Sequence, residues 1–337
     1  MKIGFEDILE YLKRPTLAII LIVIIAIGAM RAFHVTTLDT LILLSYFIGV
    51  AASLNIIMGF AGYVSFGHAV FVGIGAYIYM LSVYFNPLLN TLQHSGFGVG
   101  IIIVSILAAI VAAIVAGVVG GVVLRLRGAF FAIATIGLDF TVLYIIKAVV
   151  PDLDPDYFFG AQIILPKRCI VSKSDIFNAI YITLIAVMIT NYIIKRSRFG
   201  AGLVAIREDE DAAESLGVPT AKYKTLAFAL SAFFTAMLGA IFFLNGGGVD
   251  EMAFSLGKSI DMIVMIIIGG LGTVIGPIIG GIIYYWLYDT LLVHYPGVNL
   301  IILGIIVALI ILFAPEGIVG IIRKRTFRGL KLRDLLE

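Results

Sequence analysis

The sequence predicts an all-α polytopic membrane protein with about ten transmembrane or partly re-entrant helices and both termini in the cytosol. Of its 337 residues, 61% are hydrophobic and only 13% are charged, about half the charged share of a soluble domain. The mean hydropathy is +1.13. A water-soluble chain could not bury this much apolar surface. We therefore expect one transmembrane domain over residues 1–337, with a cytosolic loop at 195–224 inside it.

The predicted spans are the apolar runs, and each ends where polar or glycine-rich residues interrupt the run. In chain order they are residues 16–33, 38–58, 68–85, 98–124, 128–150, 176–194, 225–244, 260–268, 277–293 and 299–313. The eighth run is too short to cross a bilayer alone, so it has to include the glycine-rich residues that follow it.

The distribution of lysine and arginine predicts the orientation. With the N-terminus inside, the cytosolic pieces are 1–15, 125–127, 195–224 and 314–337, and these hold 17 of the 23 basic residues. Since cytosolic loops carry the excess of basic residues, both termini are predicted to lie in the cytosol. The alternative is that this bias arose by chance.

Two glycine-rich segments interrupt the apolar pattern: GFAGYVSFGHAVFVGIG at 59–75 and GGLGTVIGPIIGG at 269–281. Small residues recur every four positions in each, and on a helix they would share one face. These are Ser65, Ala69 and Gly73 in the first segment and Gly272, Gly276 and Gly280 in the second. One interpretation is close helix packing in lipid. The other is a broken or re-entrant chain whose backbone groups bind or gate a polar solute.

Few polar side chains lie inside the spans, and such groups usually face the protein interior. With two glycines they are the candidate residues of a translocation path: Asn55, Ser65, His68, Asp139, Gly272 and Gly276. For Asp139, a packing role as a neutral or paired residue is an equal alternative. For His68, the alternative is a structural histidine with satisfied hydrogen bonds.

No catalytic or metal-binding constellation is visible in the sequence. The run Gly-Lys-Ser at 257–259 resembles the end of a phosphate-binding loop, but Met252 stands where that motif needs its first glycine. The four histidines are scattered, and a lone Cys169 excludes an internal disulfide framework. We therefore predict no catalytic residue, no metal and no cofactor in this chain. The net charge of +2 argues against a nucleic-acid partner.

The most polar segment is residues 195–224, with six basic and five acidic residues among thirty. Within it, 204–216 is predicted to form a short helix that Gly217 caps and Pro219 stops. An amphipathic helix with small residues suits a groove in a soluble partner. The candidate coupling residues are Arg207, Glu208, Asp209, Asp211, Ala212, Ala213, Glu214 and Gly217. The alternative is a solvated connection without a partner.

The run RSRFGAGLVAIREDEDAAESLGVPTAKYKTLAFALSAF resembles the cytoplasmic loop of LivM-type permeases, the membrane subunits of branched-chain amino-acid ABC importers. Four other stretches are similar to that family in the same order: LNIIMGFAGYVSFGHAVFVGIGAY at 54–77, LRLRGAFFAIATI at 124–136, the residues at 265–281 and LFAPEGIVG at 312–320. The resemblance covers about residues 40 to 322. Asp139 is one departure, because the family more often has glutamate there.

The resemblance implies a permease subunit of an ATP-driven importer in a prokaryotic inner membrane, carrying branched-chain amino acids. It implies a second homologous permease subunit, two cytosolic ATPase subunits that bind the ATP, an extracytoplasmic solute-binding protein and membrane lipid as partners. Energy would enter through residues 204–217. Importers of urea or short amides have closely similar subunits and are the first alternative. An ion-coupled secondary transporter using Asp139 and Asp261 is the second, and a membrane-bound enzyme is the third.

Overall fold

Helices make up nearly the whole fold. The computed structural model describes residues 15–150, 158–159, 161–294, 301, 304–305, 308, 317–324, 326–327 and 330–331. Within these residues there are thirteen α-helices and only short strands, so the predicted all-α polytopic fold is confirmed. Residues 1–14 of the first predicted cytosolic piece, half of the piece at 314–337 and most of the predicted span at 299–313 lie outside the described residues.

The first half of the chain forms six helices whose ends follow local sequence signals. They are α1 (Pro15–Ala32), α2 (Leu38–Leu54), α3 (Ala69–Phe85), α4 (Pro87–Gln93), α5 (Val99–Val123) and α6 (Ala129–Val149). Thr37 caps α2 by accepting a hydrogen bond from the amide of Thr40. Asn86 caps α4, and Pro87 occupies its first position, where a missing amide hydrogen costs nothing.

The second half forms seven helices. They are α7 (Lys173–Arg196), α8 (Arg198–Glu208), α9 (Glu210–Ser215), α10 (Thr220–Asn245), α11 (Leu256–Gly269), α12 (Gly276–His294) and α13 (Gly317–Lys324). Serine side chains cap three of them: Ser172 for α7, Ser197 for α8 and Ser255 for α11. These caps satisfy amides that the first turn of a helix leaves free.

The strands are short and lie at the edges of the helical body. β1 (Phe158–Phe159), β2 (Gln162–Ile164) and β3 (Gly248–Val249) form an antiparallel sheet in that order. β3 follows the end of α10 and contacts α10 and α3. β4 (Thr326–Phe327) and β5 (Leu330–Lys331) pair as a second small antiparallel sheet.

Five helical segments are long and apolar enough to cross a membrane: Leu38–Gly59, Gly96–Val123, Ala129–Val149, Lys173–Arg196 and Thr220–Asn245. They match the second, fourth, fifth, sixth and seventh predicted spans. A sixth would be α3 with α4, which are bent by 112° relative to each other. α11 has 14 residues. It is therefore about 21 Å long and cannot cross the apolar layer alone, as its sequence predicted.

α10 packs against four other long helices. It lies against α2, α3, α5 and α7. A Cβ added at Gly239 of α10 would lie 2.6 Å from the carbonyl oxygen of Val72 in α3. A Cβ at Gly75 would overlap the backbone of Ala236. Glycine thus lets the α3 and α10 backbones touch, as expected of helix packing in lipid.

α6 is the most weakly attached of these spans. Only Phe131, Thr135 and Asp139 of α6 are buried, and they form one narrow stripe at four-residue spacing. In its span 17% of the residues are buried, against 89% for the span that contains α2.

Candidate functional site

The charged loop between α7 and α10 folds into two helices, where the sequence predicted one over 204–216. α8 ends at Glu208, and Asp209 takes an extended conformation with φ of −160°. Its carboxylate then accepts a hydrogen bond of 3.0 Å from the amide of Ala212 and caps α9. Because aspartate competes for nearby backbone amides, it favours a helix start over a helix interior.

The predicted cap at Gly217 is confirmed. Gly217 has φ of +85°, a conformation that glycine adopts without strain. Its amide donates to the carbonyl of Glu214 at 2.9 Å, and the amide of Val218 donates to that of Ala213 at 3.0 Å. This pair of bonds is the Schellman motif, and it ends α9.

Glu210 is the main attachment of the loop to the membrane-embedded part. Its Oε1 lies 2.6 Å from Nζ of Lys224, and its Oε2 accepts a hydrogen bond from the hydroxyl of Tyr63. Lys224 Nζ also donates to the Tyr63 hydroxyl at 2.9 Å and to the carbonyl of Leu124 at 2.8 Å. Nε of Arg127 lies 3.6 Å from the same carboxylate. The side chains of Lys224 and Glu210 are only 4% and 12% exposed.

This environment fixes the charge of Glu210. Burial alone would raise the pKa of its carboxyl group, but hydrogen bonds from Lys224 and Tyr63 and the charges of Lys224 and Arg127 outweigh it. The pKa therefore lies below the ordinary value of 4.5. Burial and the Glu210 carboxylate raise the pKa of Tyr63, so its hydroxyl remains a donor. At neutral pH the cluster holds a buried, hydrogen-bonded ion pair.

Arg207 is a second attachment, and it contacts both glycine segments. Its Nη1 donates to the carbonyl of Gly59 at 3.0 Å, while Nη2 pairs with Glu208 at 2.8 Å. A Cβ added at Gly272 would lie 2.6 Å from Nη1 of Arg207 and 2.7 Å from the carbonyl oxygen of Gly59. One loop side chain therefore lies where the two segments meet.

Asn55 joins the same two segments from inside the protein. Its Nδ2 donates to Oδ1 of Asn191 at 3.0 Å and to the carbonyl of Thr273 at 3.1 Å. Its Oδ1 accepts from the amide of Gly272 at 3.2 Å. Asn55 is fully buried and opens a π-helical turn, Asn55–Gly59, at the end of α2. Both of its amide hydrogens are used in this cross-link.

His68 is satisfied on one side of its ring only. Nε2 lies 2.9 Å from Oγ of Ser231 and 3.1 Å from Oγ1 of Thr235. Ser231 donates its hydroxyl hydrogen to the carbonyl of Ser53 at 2.6 Å. Ser231 must therefore accept from His68, which assigns the ring proton to Nε2. The other ring nitrogen, Nδ1, is a buried acceptor without a partner among the described residues.

Ser65 and Asp139 carry two more buried oxygens without a partner in the described part of the chain, Oγ and Oδ1 respectively. α6 meets the first glycine segment one turn before Asp139. There Oγ1 of Thr135 accepts from the amide of Phe66 at 3.2 Å, and Gly67 lies against the Thr135 carbonyl. Ser65 and His68 therefore flank the two residues that contact α6, while the hydrogen bonds of the His68 ring go to α10. Lys147, two turns beyond Asp139, is not its partner, because it pairs with Glu251.

The predicted four-residue stripes of small residues are broken in both segments. Gly272 has φ of +70° and precedes α12, so it does not share a helix with Gly276. Ser65 likewise precedes α3, which begins at Ala69. The reason is that the chain turns before each helix begins.

The close packing that the stripes predicted does occur, in the second segment between α11 and α12. A Cβ at Gly276 would overlap the carbonyl oxygen of Gly270, and one at Gly280 would overlap that of Met265. Both glycines therefore face neighbouring backbone of this chain.

Ala212 and Ala213, two of the candidate coupling residues, do not form one surface. Ala213 is 2% exposed and packs within the chain, whereas Ala212 and Glu214 are exposed. Leu216, at the end of α9, is 84% exposed. Asp211 is exposed and pairs with Arg127 at 2.8 Å.

The sequence reasoning missed Glu210, Lys224 and Tyr63. Four consecutive acidic residues at 208–211 gave no local reason to prefer one of them. A signal for Lys224 did exist, because a lysine at the start of an apolar run needs a partner when it is buried. No pattern in the sequence pointed to Tyr63.

Comparison with known proteins agrees with the resemblance found in the sequence. Residues 36–315 match the family described as the permease component of the branched-chain amino acid transport system. The high-affinity branched-chain amino acid transport system permease protein LivM of Escherichia coli (strain K12) is 24% identical in an alignment of 323 residues that covers 88% of this chain and 72% of that protein. LivM of Salmonella typhimurium (strain LT2) is 24% identical in an alignment of 295 residues that covers 80% of this chain and 67% of that protein. No solved structure matches the chain.

Proposed function

The chain belongs to the permease-component family of branched-chain amino acid transport systems, and we propose that it is a permease subunit of an ATP-driven importer for branched-chain amino acids. In this proposal it is a multi-pass protein of a prokaryotic inner membrane. It works with a second homologous permease, two cytosolic ATPases that bind the ATP, and an extracytoplasmic solute-binding protein. The chain itself makes and breaks no bond in the solute and is not an enzyme.

The observation that carries the proposal is the double attachment of the charged loop. Glu210 bonds to Tyr63, and Arg207 bonds to Gly59, both in the first glycine segment. Arg207 also lies against Gly272 in the second. A force on α8 and α9 would therefore reach both places where the membrane helices break. A solvated connection would not need a buried ion pair.

The outward side of the loop supplies a contact surface for the ATPase in this proposal. The exposed residues between 208 and 216 are acidic, small or apolar: Glu208, Asp209, Asp211, Ala212, Glu214, Ser215 and Leu216. An exposed leucine beside small and acidic residues suits a groove with an apolar floor and a basic rim. Gly217 sets the direction of the chain after this surface, while Ala213 supports it from inside.

For the solute route we propose the junction of α3 and α6. The unpartnered Nδ1 of His68, Oγ of Ser65 and Oδ1 of Asp139 supply polar groups at membrane depth. Since such atoms are costly inside protein, a passing ammonium group or water would relieve them. Gly272 and Gly276 lie at the break between α11 and α12. A change in packing at this break would open the route.

Reconstitution tests the function. The chain, the second permease, the ATPases and the binding protein would be placed together in proteoliposomes with ATP on the ATPase side. We expect uptake of labelled leucine, isoleucine or valine that stops when ATP is replaced by a non-hydrolysable analogue. Uptake of urea or acetamide instead would assign the chain to the alternative substrate class. Uptake driven by an ion gradient without ATP would exclude the importer.

The route is tested separately with two conservative variants. His68→Gln and Asp139→Asn remove the free ring acceptor and the carboxylate charge with little change in volume. We expect lower maximal uptake in both, with unchanged binding of ATPase subunits in pull-down. Thr141→Val is the matched control, because Thr141 is exposed on α6 and bonds only to the carbonyl of Gly137. Wild-type uptake by both variants would remove these residues from the route.

A further inference from the structure

A cleft of about 680 Å³ opens on the surface between the end of α5 and the start of α10. Gly120, Gly121 and Leu124 line one wall, and residues of the first two turns of α10 line the other. Glu210, Lys224 and Arg127 also line it, so the cleft borders the buried ion pair. The exposed apolar side chains beside it, Val122 and Leu226, are 69% and 60% exposed. On a membrane span such a surface faces lipid or another membrane protein.

Two cations at the cleft are not used by the loop attachment. Arg125 and Lys222 both line the cleft and are exposed. Neither forms an ion pair within the part of the chain that the structure describes. Arg127, by contrast, is held by Asp211 and Glu210. The free positive charge therefore lies at the Arg125–Lys222 side.

The first turn of α10 adds backbone donors to the same place. The N-cap residue is Pro219, which has no side-chain acceptor to offer. The amides of Ala221 and Lys222 come before the first intrahelical bond, which the amide of Tyr223 makes to Pro219. α10 is 26 residues long, so its N-terminal end carries the positive end of a full helix dipole. Free amides, a dipole and two cations together suit a phosphate.

An apolar hollow continues from the cleft along α5. Gly117 and Gly121 are one turn apart, and a Cβ added at either would meet nothing within 4 Å. The neighbouring Ile114 and Val118 are 60% and 70% exposed. The missing side chains leave a recess between these larger ones, and its polar end is the Arg125–Lys222 side.

We propose that this cleft binds an anionic phospholipid, with the phosphate at Arg125, Lys222 and the α10 amides and an acyl chain along the recess at Gly117 and Gly121. A soluble anion would use only the polar end. A second membrane protein would use only the apolar recess. A lipid uses both, and the phosphate lies where the spans end, which is the level of the headgroups.

The test uses the purified full-length chain, delipidated in detergent and titrated with phosphatidylglycerol or phosphatidylcholine under native mass spectrometry. We expect tighter binding of phosphatidylglycerol. The double variant Arg125→Gln with Lys222→Gln should weaken it by about fivefold for each cation removed, roughly 25-fold in all, and leave phosphatidylcholine unchanged. Arg198→Gln, an exposed cation at the start of α8, is the matched control and should bind as wild type.

A second variant tests the recess. Gly121→Leu fills it without touching the cations, so binding of both lipids should fall. Three results would overturn the proposal. The double variant could bind phosphatidylglycerol like wild type. Inorganic phosphate at equal concentration could displace the lipid, which would indicate a site for soluble anions. Gly121→Leu could abolish association of permease copies while lipid binding stays unchanged, which would make the recess a protein interface.

Discussion

Both glycine segments are rich in glycine and resemble each other only loosely in sequence, and they have different roles in the fold. The first, at 59–75, is joined to the loop by polar contacts at Gly59 and Tyr63 and gathers the buried polar groups of Ser65 and His68. The second, at 269–281, is a tight turn between α11 and α12 in which backbones touch. The difference teaches that glycine content predicts a break in a membrane helix, while the neighbouring polar residues decide what the break is used for.

The largest effect is expected from a substitution in the second segment. In Gly276→Leu the new side chain would overlap the carbonyl of Gly270, which belongs to backbone and cannot move aside cheaply. We expect loss of uptake with normal membrane insertion, because leucine suits a bilayer. Gly137→Leu on α6 is the control, since a Cβ there meets nothing within 4 Å. Normal uptake by Gly276→Leu would show that close backbone packing here is not needed.

The next largest effect is expected from a substitution that breaks the contact between the charged loop and the first segment. Glu210→Gln leaves the charge of Lys224 buried without its counter-ion, and breaking a buried pair costs about 3–5 kcal/mol. Asp211→Asn removes an exposed pair with Arg127 that solvent screens, so it should change stability little. Glu210→Gln should therefore lower both the unfolding temperature in detergent and the uptake in proteoliposomes more than Asp211→Asn does. Equal effects of the two variants would contradict a special role for Glu210.

The same carboxylate predicts a pH dependence. Since the pKa of Glu210 in the folded protein is below 4.5, its contribution is complete at neutral pH and is lost as pH falls through the lowered value. Accessibility of a cysteine introduced at Ala213, which is only 2% exposed, should stay low from about pH 8 to pH 5 and rise below pH 4.5. In Glu210→Gln the accessibility should be high throughout. A transition near neutral pH would point to a different group.

A smaller effect is expected for the link between the segments. Asn55→Ala removes three hydrogen bonds and leaves the carbonyl of Thr273 and the amide of Gly272 without their partner. Each unsatisfied buried group costs about 1–3 kcal/mol. We expect a lower unfolding temperature and faster hydrogen exchange in both segments. Exchange that rises in the first segment alone would show that Asn55 does not couple them.

The smallest effect lies outside both segments. Gly217→Ala keeps the loop sequence but places a Cβ on a residue with φ of +85°, which costs about 1 kcal/mol. No atom lies within 4 Å of the added Cβ, so the cost is one of backbone conformation alone. We expect a drop of a few degrees in unfolding temperature with uptake nearly retained. A complete loss of uptake would indicate that the glycine itself contacts a partner.

Local sequence signals determined the fold class, most helix ends and the places where the chain breaks. Apolar runs predicted the spans, Gly217 with Pro219 predicted the end of α9, and the short apolar run before Gly269 predicted a helix that cannot cross alone. Each of these depends on hydropathy or backbone conformation within a few neighbouring residues. The family resemblance also came from short ordered motifs. Hydropathy, backbone conformation and short motifs can all be read from a short stretch of sequence.

Only the tertiary structure decided which groups are partners. It selected Glu210 from four consecutive acidic residues by placing Lys224, Tyr63 and Arg127 around it. It turned Ala213 inward and used Asn55 to join two distant segments. The physical reason is that the free energy of a buried charge or amide depends on what lies within hydrogen-bond reach. That neighbourhood is set by how α8, α9 and α10 pack, and no local pattern in the sequence contains it.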